Sequence, residues 1–370
     1  MDTGQTDQTD QSDGNEGFDG SGWPQFGRDV RNAGYAPAAT ATTSDPTVEW
    51  RFDAGTPTMN TSPVVAGGTV YVAGSGDPGS LYAVDAASGE SRWQFEPAGY
   101  ATSAPAVVAG VLYVGTWGRR FYAIDAATGE ERWSTEVGHR FGPSSPAVVD
   151  GTVYVGTIGD GPLVVSGPED EEKFEACAFL ALDAATGDEL WRYDEFGERD
   201  RISSSPAVSD GRVYFGGEDA VYALDAASGE VVWKRTIATH PRSSPAVVDG
   251  TVYYGATLGS AGEHPARVWS LDAATGETVW SAGIDDGGLR TSPAVADGTV
   301  YVPASSVRVC ADAAGDADST CSGTTRGRLY AIDASSGERR WRAPIETDTR
   351  SSPAVANSAF PCTCWTPTCS

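Results

Sequence analysis

The sequence predicts an all-β protein, a β-propeller of about seven, possibly eight, four-stranded antiparallel blades with an incomplete last blade. The main observation is the phrase Ala/Ser-x-Asp-Ala-Ala/Ser-Ser/Thr-Gly-x-x-x-Trp, which occurs six times. A Ser-Pro-Ala-Val-like strand and an Asp-Gly-Thr-Val-Tyr-like strand precede each copy. A period of about 40 residues with several short strands is typical of a propeller blade, because one sheet buries both faces only between neighbours. The copies end at Trp93, Trp133, Trp191, Trp233, Trp280 and Trp341, and an isolated strand ends upstream at Trp50.

Each copy divides into four strands. In the fourth copy, the inner strand is predicted at Ser204–Ser209 and the second strand at Arg212–Gly216. The third strand is predicted at Val221–Leu224 and the outer strand at Glu230–Lys234. Asp-Gly supplies the positive φ of a tight hairpin, and the aspartate of the phrase caps backbone amides ahead of its glycine. Metal binding is the alternative role for these aspartates, but their recurrence in every copy favours the turn. The repeated tryptophans are predicted to pack between blades, since their large side chains fill the gap between radiating sheets.

These residues resemble those of a known family. The phrase Ala83-Val84-Asp85…Gly89…Trp93, its later copies and the opening segment Trp23-Pro24-Gln25-Phe26-Gly27-Arg28-Asp29 are similar to PQQ-like (pyrroloquinoline-quinone-type) β-propeller repeats. The resemblance spans residues 23–356. It implies either a quinoprotein dehydrogenase or a non-catalytic binding and assembly propeller, because one fold serves many functions.

The two ends of the chain depart from the repeat. Residues 1–22 are acidic and polar with one aromatic side chain, so we expect a disordered tether. Residues 357–370 contain Cys362, Cys364 and Cys369 where a second strand should follow. Three thiols could bind zinc, but a fourth ligand is missing, and a truncation or frame shift is the preferred interpretation. The last blade is then predicted to have an inner strand at 351–356, an outer strand at 47–52 and no middle strands. Eight blades would require a longer native C-terminus.

Composition indicates the environment. The formal net charge is −26, and acidic residues are spread over all the repeats. Such a surface is typical of a salt-adapted protein and disfavours nucleic-acid binding. No apolar run is long enough for a signal peptide or a transmembrane segment. The acidic tether nevertheless favours an extracytoplasmic or cell-surface location, with the cytoplasm as the alternative.

The remaining cysteines and histidines give weaker indications. Cys310 and Cys321 lie in one insertion and could form a disulfide in an oxidising compartment, or remain free thiols. Cys177 is expected to be a small buried hydrophobe. His139, His240 and His264 have no metal-ligand spacing and are expected at the surface.

The binding site is predicted on the face where the second-to-third and blade-to-blade loops emerge. The insertions 158–178, 257–266 and 304–327 all lie there, and variable loops on a rigid scaffold usually carry binding. Five arginines precede inner strands, so they are predicted to surround the channel mouth and bind an anionic group. The alternative is that each pairs with a neighbouring carboxylate. This arginine mouth comprises Arg140, Arg201, Arg242, Arg290 and Arg350.

Catalysis is the competing hypothesis. The resemblance implies that a quinoprotein enzyme would hold its quinone over a tryptophan, beside Ca²⁺, an aspartate base and two adjacent cysteines. No adjacent cysteines occur. Trp117 and Trp269 lie outside the repeated position and could be platforms, but extra tryptophans in a propeller more often serve packing. We therefore predict a non-catalytic binding or scaffolding module with a protein partner or small ligand on the loop-rich face, without a cofactor or metal. A PQQ- and Ca²⁺-dependent oxidoreductase of alcohols or sugars is the alternative.

Overall fold

The computed structural model describes residues 24–40, 47–55, 61–74, 79–159, 176–197, 200–237, 243–258, 266–285, 288–289, 291–305, 327–345 and 355–357. Within these ranges the chain forms strands and turns and no helix. The predicted tether at 1–22 and all but the first residue of the predicted tail at 357–370 lie outside the described residues, as do Cys310, Cys321, His240 and His264.

Six sheets of four antiparallel strands follow one another along the chain. Strand β1 (Tyr35–Thr40) precedes them. Sheet 1 contains β2 (Val64–Ala66), β3 (Thr69–Gly74), β4 (Ser80–Asp85) and β5 (Ser91–Phe95). Sheet 2 contains β6 (Ala106–Val108), β7 (Val111–Gly115), β8 (Arg120–Asp125) and β9 (Glu131–Glu136). Sheet 3 contains β10 (Ala147–Val149), β11 (Thr152–Gly156), β12 (Phe179–Asp183) and β13 (Glu189–Tyr193).

The later half repeats this order. Sheet 4 contains β14 (Ala207–Ser209), β15 (Arg212–Gly216), β16 (Ala220–Asp225) and β17 (Val231–Thr236). Sheet 5 contains β18 (Ala246–Val248), β19 (Thr251–Thr257), β20 (Ala266–Asp272) and β21 (Thr278–Ile284). Sheet 6 contains β22 (Ala294–Ala296), β23 (Thr299–Ser305), β24 (Gly327–Asp333) and β25 (Arg339–Ile345). Strand β26 (Val355–Asn357) pairs in parallel with β1. The all-β prediction is confirmed, and the six four-stranded sheets are consistent with a β-propeller.

The turns explain why the phrase recurs. Between β14 and β15, Asp210 and Gly211 have φ values of 51° and 69°, as a tight hairpin requires. Between β16 and β17, the Asp225 carboxylate accepts hydrogen bonds from the amides of Ala227 at 3.1 Å and Ser228 at 2.9 Å. The Gly229 amide then donates to the Asp225 carbonyl at 2.9 Å. The Asp225 carboxylate thus stabilises its own turn by accepting hydrogen bonds from two of the turn's amides.

The core lies between the sheets. Five hydrophobic clusters each combine side chains from two consecutive sheets, from sheets 1 and 2 through to sheets 5 and 6. The other face of sheet 1 packs against Trp50, Phe52 and Ala54 from the segment before it. Each sheet is therefore buried by its neighbours, and the short first strands of successive sheets contact one another.

The predicted outer strand at Thr47–Phe52 is wrong, since the structure assigns no strand to residues 47–55. Among the described residues no third strand lies beside this segment to take up its backbone hydrogen bonds. The segment instead packs through side chains, and the Tyr82 hydroxyl donates a hydrogen bond to the Ala54 carbonyl at 2.7 Å. The predicted inner strand at 351–356 is described only as β26, residues 355–357.

Candidate functional site

The repeated tryptophans join each sheet to the next at the periphery. Trp191 of sheet 3 donates its indole N–H to the Ala226 carbonyl in the phrase of sheet 4 at 2.9 Å. Its ring also lies so close to Gly229 that a Cβ there would come within 2.6 Å. The same indole bond, at 2.9 to 3.1 Å, is made by Trp50, Trp93, Trp133, Trp233 and Trp280. Trp341 lies 6.1 Å from the Tyr301 ring, measured between centroids, and no seventh copy of the phrase follows it in the sequence.

Serines join the sheets a second time near the centre. The Ser145 amide in sheet 3 donates to the Ser205 hydroxyl in sheet 4 at 3.0 Å, and the Ser205 amide donates to Ser244 in sheet 5 at 2.8 Å. The Ser244 amide continues the series to Ser292 in sheet 6 at 2.8 Å. These serines all precede the proline of the Ser-Pro-Ala-Val strand. The prediction of that strand did not anticipate this role.

The centre itself is filled by the protein's own N-terminal residues 24–34, which we call the axial segment. Backbone amides of the first strands point at it because their other edge already pairs within the sheet. The amides of Val208, Val247 and Val295 donate to the carbonyls of Val30 at 2.6 Å, Arg31 at 2.8 Å and Ala33 at 2.8 Å.

The series extends to two further sheets. The Val107 amide of sheet 2 donates to the Pro24 carbonyl at 2.8 Å, and the Val148 amide of sheet 3 donates to the Gln25 side-chain oxygen at 3.4 Å. The axial segment then continues into β1, whose Tyr35 lies opposite Val355 of β26. One stretch of chain therefore satisfies an amide donor from each of sheets 2 to 6, which would otherwise be buried without a partner.

Three polar side chains of the axial segment are buried. Gln25, Arg28 and Asn32 are 1%, 9% and 4% exposed. The Asn32 amide nitrogen donates to the carbonyls of Pro206 at 2.9 Å and Pro245 at 3.2 Å, and so bridges sheets 4 and 5. The pattern of hydrophobic residues does not predict this packing, because the segment lacks hydrophobic periodicity. The only signal was its similarity to the family's usual start.

On the loop-rich face, the described residues form a stack at the boundary of sheets 2 and 3. The rings of Tyr100 and Trp117 lie 5.1 Å apart at 22°, and the Arg140 guanidinium carbon lies 5.6 Å from the Trp117 centroid. The indole N–H of Trp117 donates to the Thr102 hydroxyl at 3.3 Å. All four side chains are partly exposed. This cluster, the Arg140 stack, brings a cation and two aromatic rings to the surface.

The predicted arginine mouth remains a prediction. Arg140 and Arg201 are partly buried on the described loops, whereas Arg242, Arg290 and Arg350 lie outside the described residues. Cys177 is fully buried in the cluster between sheets 3 and 4, and burial raises the pKa of its thiol far above the ordinary value. The greater parts of all three insertions also lie outside the described residues.

The structure describes the surroundings of both candidate quinone platforms. Trp117 already has Tyr100 and Arg140 as stacking partners, and Trp269 lies within β20, opposite Tyr254 and Ser281. Over the described ranges no three His, Cys, Asp or Glu side chains are grouped as metal ligands. The axial segment occupies the centre.

Comparisons with known proteins agree on the fold. A family model described as outer membrane protein assembly factor BamB matches residues 38–170, 179–315 and 311–360. The serine/threonine-protein kinase AfsK of Streptomyces griseus is 35% identical over 204 residues, which are 53% of this chain but only 22% of that protein. The match thus spans about a fifth of the kinase.

Two solved structures illustrate the range of relatives. BamB from Moraxella catarrhalis superposes with a TM-score of 0.59 at 18% identity, covering 82% of each chain. A europium-containing methanol dehydrogenase superposes with a TM-score of 0.64 at 16% identity, covering 91% of this chain and 80% of its own. At such identities the likeness shows the fold alone. In the part of the chain that the structure describes, no helix has the length and apolar character to cross a membrane.

Proposed function

The chain belongs to the family of PQQ-like repeat β-propellers, and on that premise we propose that it acts as a non-catalytic binding and scaffolding module. The observation that carries this proposal is the axial segment. Residues 24–34 accept hydrogen bonds from five successive sheets, so the protein's own backbone takes the central position. A propeller filled in this way is suited to presenting a rigid surface.

The loop-rich face is the proposed contact surface for a protein partner or small ligand. The Arg140 stack offers one arginine and two large aromatic side chains, which are the residue types that dominate binding energy in protein interfaces. Thr102 holds the Trp117 indole, so the stack is ordered before a partner arrives. A pre-ordered surface loses less entropy on binding than a mobile one.

We also infer seven blades. Trp50 lies against Gly89 and bonds Ala86 of sheet 1, as Trp93 lies against Gly129 and bonds Ala126 of sheet 2. Trp50 thus takes the outer position of a seventh blade that precedes sheet 1 in the ring. Its inner position belongs to β26, which contacts β22 as the other first strands contact one another. Both ends of the described chain meet in that blade.

The proposed location is outside the cytoplasm, at high salt. The matching family is described by an outer-membrane assembly factor, and the net charge is −26. Acidic surfaces keep proteins soluble where salt screens their repulsion.

The deciding experiment is a titration with pyrroloquinoline quinone in high salt with Ca²⁺. We expect no saturable quenching of tryptophan fluorescence and no dye-linked oxidation of alcohols or sugars, in a sample whose circular dichroism shows β structure. Saturable quenching together with turnover would overturn the proposal in favour of a quinoprotein oxidoreductase.

The contact surface has its own test. Chemical cross-linking in the native host should capture a partner with the wild-type chain and lose it in Trp117→Ala/Arg140→Glu. Ala127→Glu, an exposed change in a turn on the opposite side of sheet 2, is the control and should leave capture unchanged. Equal capture by all three chains would show that the Arg140 stack is not the contact.

A further inference from the structure

We propose that the open edges of the first strands form a binding site for a turn-containing peptide, and that residues 24–36 of this chain are its resident ligand. This inference concerns the centre of the molecule. It does not depend on the binding function proposed for the loop-rich face.

The site is made of backbone donors. Each first strand is three residues long and pairs along one edge with the second strand of its sheet. The middle residue of β6, β10, β14, β18 and β22 is the valine whose amide donates into the axial segment. Five donors from five sheets therefore converge on one ligand.

The ligand is recognised mainly through its main chain. Four of the five acceptors are backbone carbonyls, those of Pro24, Val30, Arg31 and Ala33. The fifth is the Gln25 side chain. Backbone recognition by itself tolerates many sequences, so selectivity must come from residues that set the turns of the segment or reach the sheets with their side chains.

Asn32 and Gly27 supply the selectivity. The Asn32 side chain reaches carbonyls of both sheet 4 and sheet 5, and an alanine would leave those two buried acceptors without this donor. Gly27 has a φ of +64°, and a Cβ there would come within 2.5 Å of the Asn32 Cα. The preferred peptide therefore carries glycine five residues before asparagine.

The binding mode extends into the last strand pair. Tyr35 and Ala36 lie opposite Val355 and Ala356 in parallel register. A parallel pair normally needs a long covalent crossover, and here the two strands come from opposite ends of the sequence. Strand β1 therefore adds to β26 as a separate peptide would.

Cutting the resident ligand free tests the proposal. A protease site inserted within residues 41–46 of the full chain allows cleavage after folding. We expect the N-terminal fragment to co-elute with the propeller on size exclusion, held by the contacts of residues 24–36. A fluorescent peptide of residues 23–40 should then exchange into the cleaved protein, while the uncut chain resists exchange because its own segment has a high effective concentration.

Three competitor peptides define the specificity. The unlabelled wild-type peptide should compete fully, and one with Asn32→Ala about ten- to a hundredfold more weakly, since each tenfold corresponds to about 1.4 kcal/mol. A scrambled peptide should not compete. The proposal is overturned if the fragment leaves while the fold persists, if cleavage unfolds the propeller, or if the scrambled peptide competes equally. Quinone binding on the loop-rich face would leave these outcomes unchanged, so the quinone titration and the exchange experiment give separate answers.

Discussion

Replacing Gly229 with alanine probes the contact between sheets 3 and 4. Gly229 has a φ of +75°, and a Cβ on it would lie 2.6 Å from Cε3 and 2.7 Å from Cδ2 of Trp191. Gly211 is a matched control in the same sheet, because its φ is +69° and a Cβ there would meet nothing within 4 Å. The two substitutions add the same methyl group in the same backbone region and differ only in the tryptophan.

The difference in cost follows from the geometry. An alanine at positive φ costs about 1 to 2 kcal/mol of folding free energy, and Gly211→Ala should cost no more than that. Gly229→Ala must also displace the Trp191 ring, which is held by its bond to the Ala226 carbonyl. Overpacking of this kind costs about 1 to 3 kcal/mol more. We therefore expect Gly229→Ala to lower the free energy of unfolding by about 2 to 5 kcal/mol in total.

Urea denaturation in high salt measures both free energies of unfolding. A double-mutant cycle with Trp191→Ala then isolates the contact. Trp191→Ala alone should cost about 3 to 5 kcal/mol, and in that background Gly229→Ala should cost only as much as Gly211→Ala. Equal costs for the two glycines in the wild-type background would refute the assignment of Trp191 to packing between sheets.

Three further results are expected. The Arg132 guanidinium and turn amides lower the pKa of Asp125 to about 2, so the stability it contributes is present above about pH 4 and lost as the pH falls towards 2. Asp125→Asn should reduce the dependence of the urea midpoint on pH between about pH 4 and 2. An unchanged dependence on pH would contradict the ion pair. Cys177 should resist alkylation at pH 8 in the native protein and react in urea, as peptide mapping by mass spectrometry would show, because burial raises its pKa. Trp50→Phe should lose about 1 kcal/mol with the indole bond to Ala86, and no change in the urea midpoint would argue against that bond.

The sheets were predictable because their signals are local. Asp225 and Gly229 specify a turn through their own backbone preferences, and repetition makes the assignment secure. The role of Trp191 could also be anticipated from its size and its fixed place in the phrase. Its contact partners, Ala226 and Gly229, lie 35 and 38 positions later in the sequence, so only the structure identifies them.

The axial segment was beyond sequence reasoning for the opposite reason. Its partners are backbone amides of strands that lie between 83 and 262 residues further along the chain, and backbone amides leave no side-chain pattern. The contacts of the Asn32 side chain are equally unpredictable, since its three acceptors are the backbone carbonyls of Ser205, Pro206 and Pro245. A polar segment flanked by polar residues in the sequence is predicted to be a loop. Burial and hydrogen bonding nevertheless make the axial segment part of the interior.

Trp50 shows how a side chain can attach a segment without assigned strand structure to a neighbouring sheet. The sequence suggested that a strand ends there, yet the residue reaches Ala86 and Gly89 from a segment without strand structure. Its indole bond needs only the side chain, so it forms although the structure assigns no strand to residues 47–55. The same segment covers the outer face of sheet 1 with Phe52, which meets Tyr82 edge-on at 5.4 Å. Residues 24–34 hydrogen-bond to sheets 2 to 6, and the segment with Trp50 and Phe52 packs on sheet 1, so the N-terminal region contributes at the axis and at the periphery.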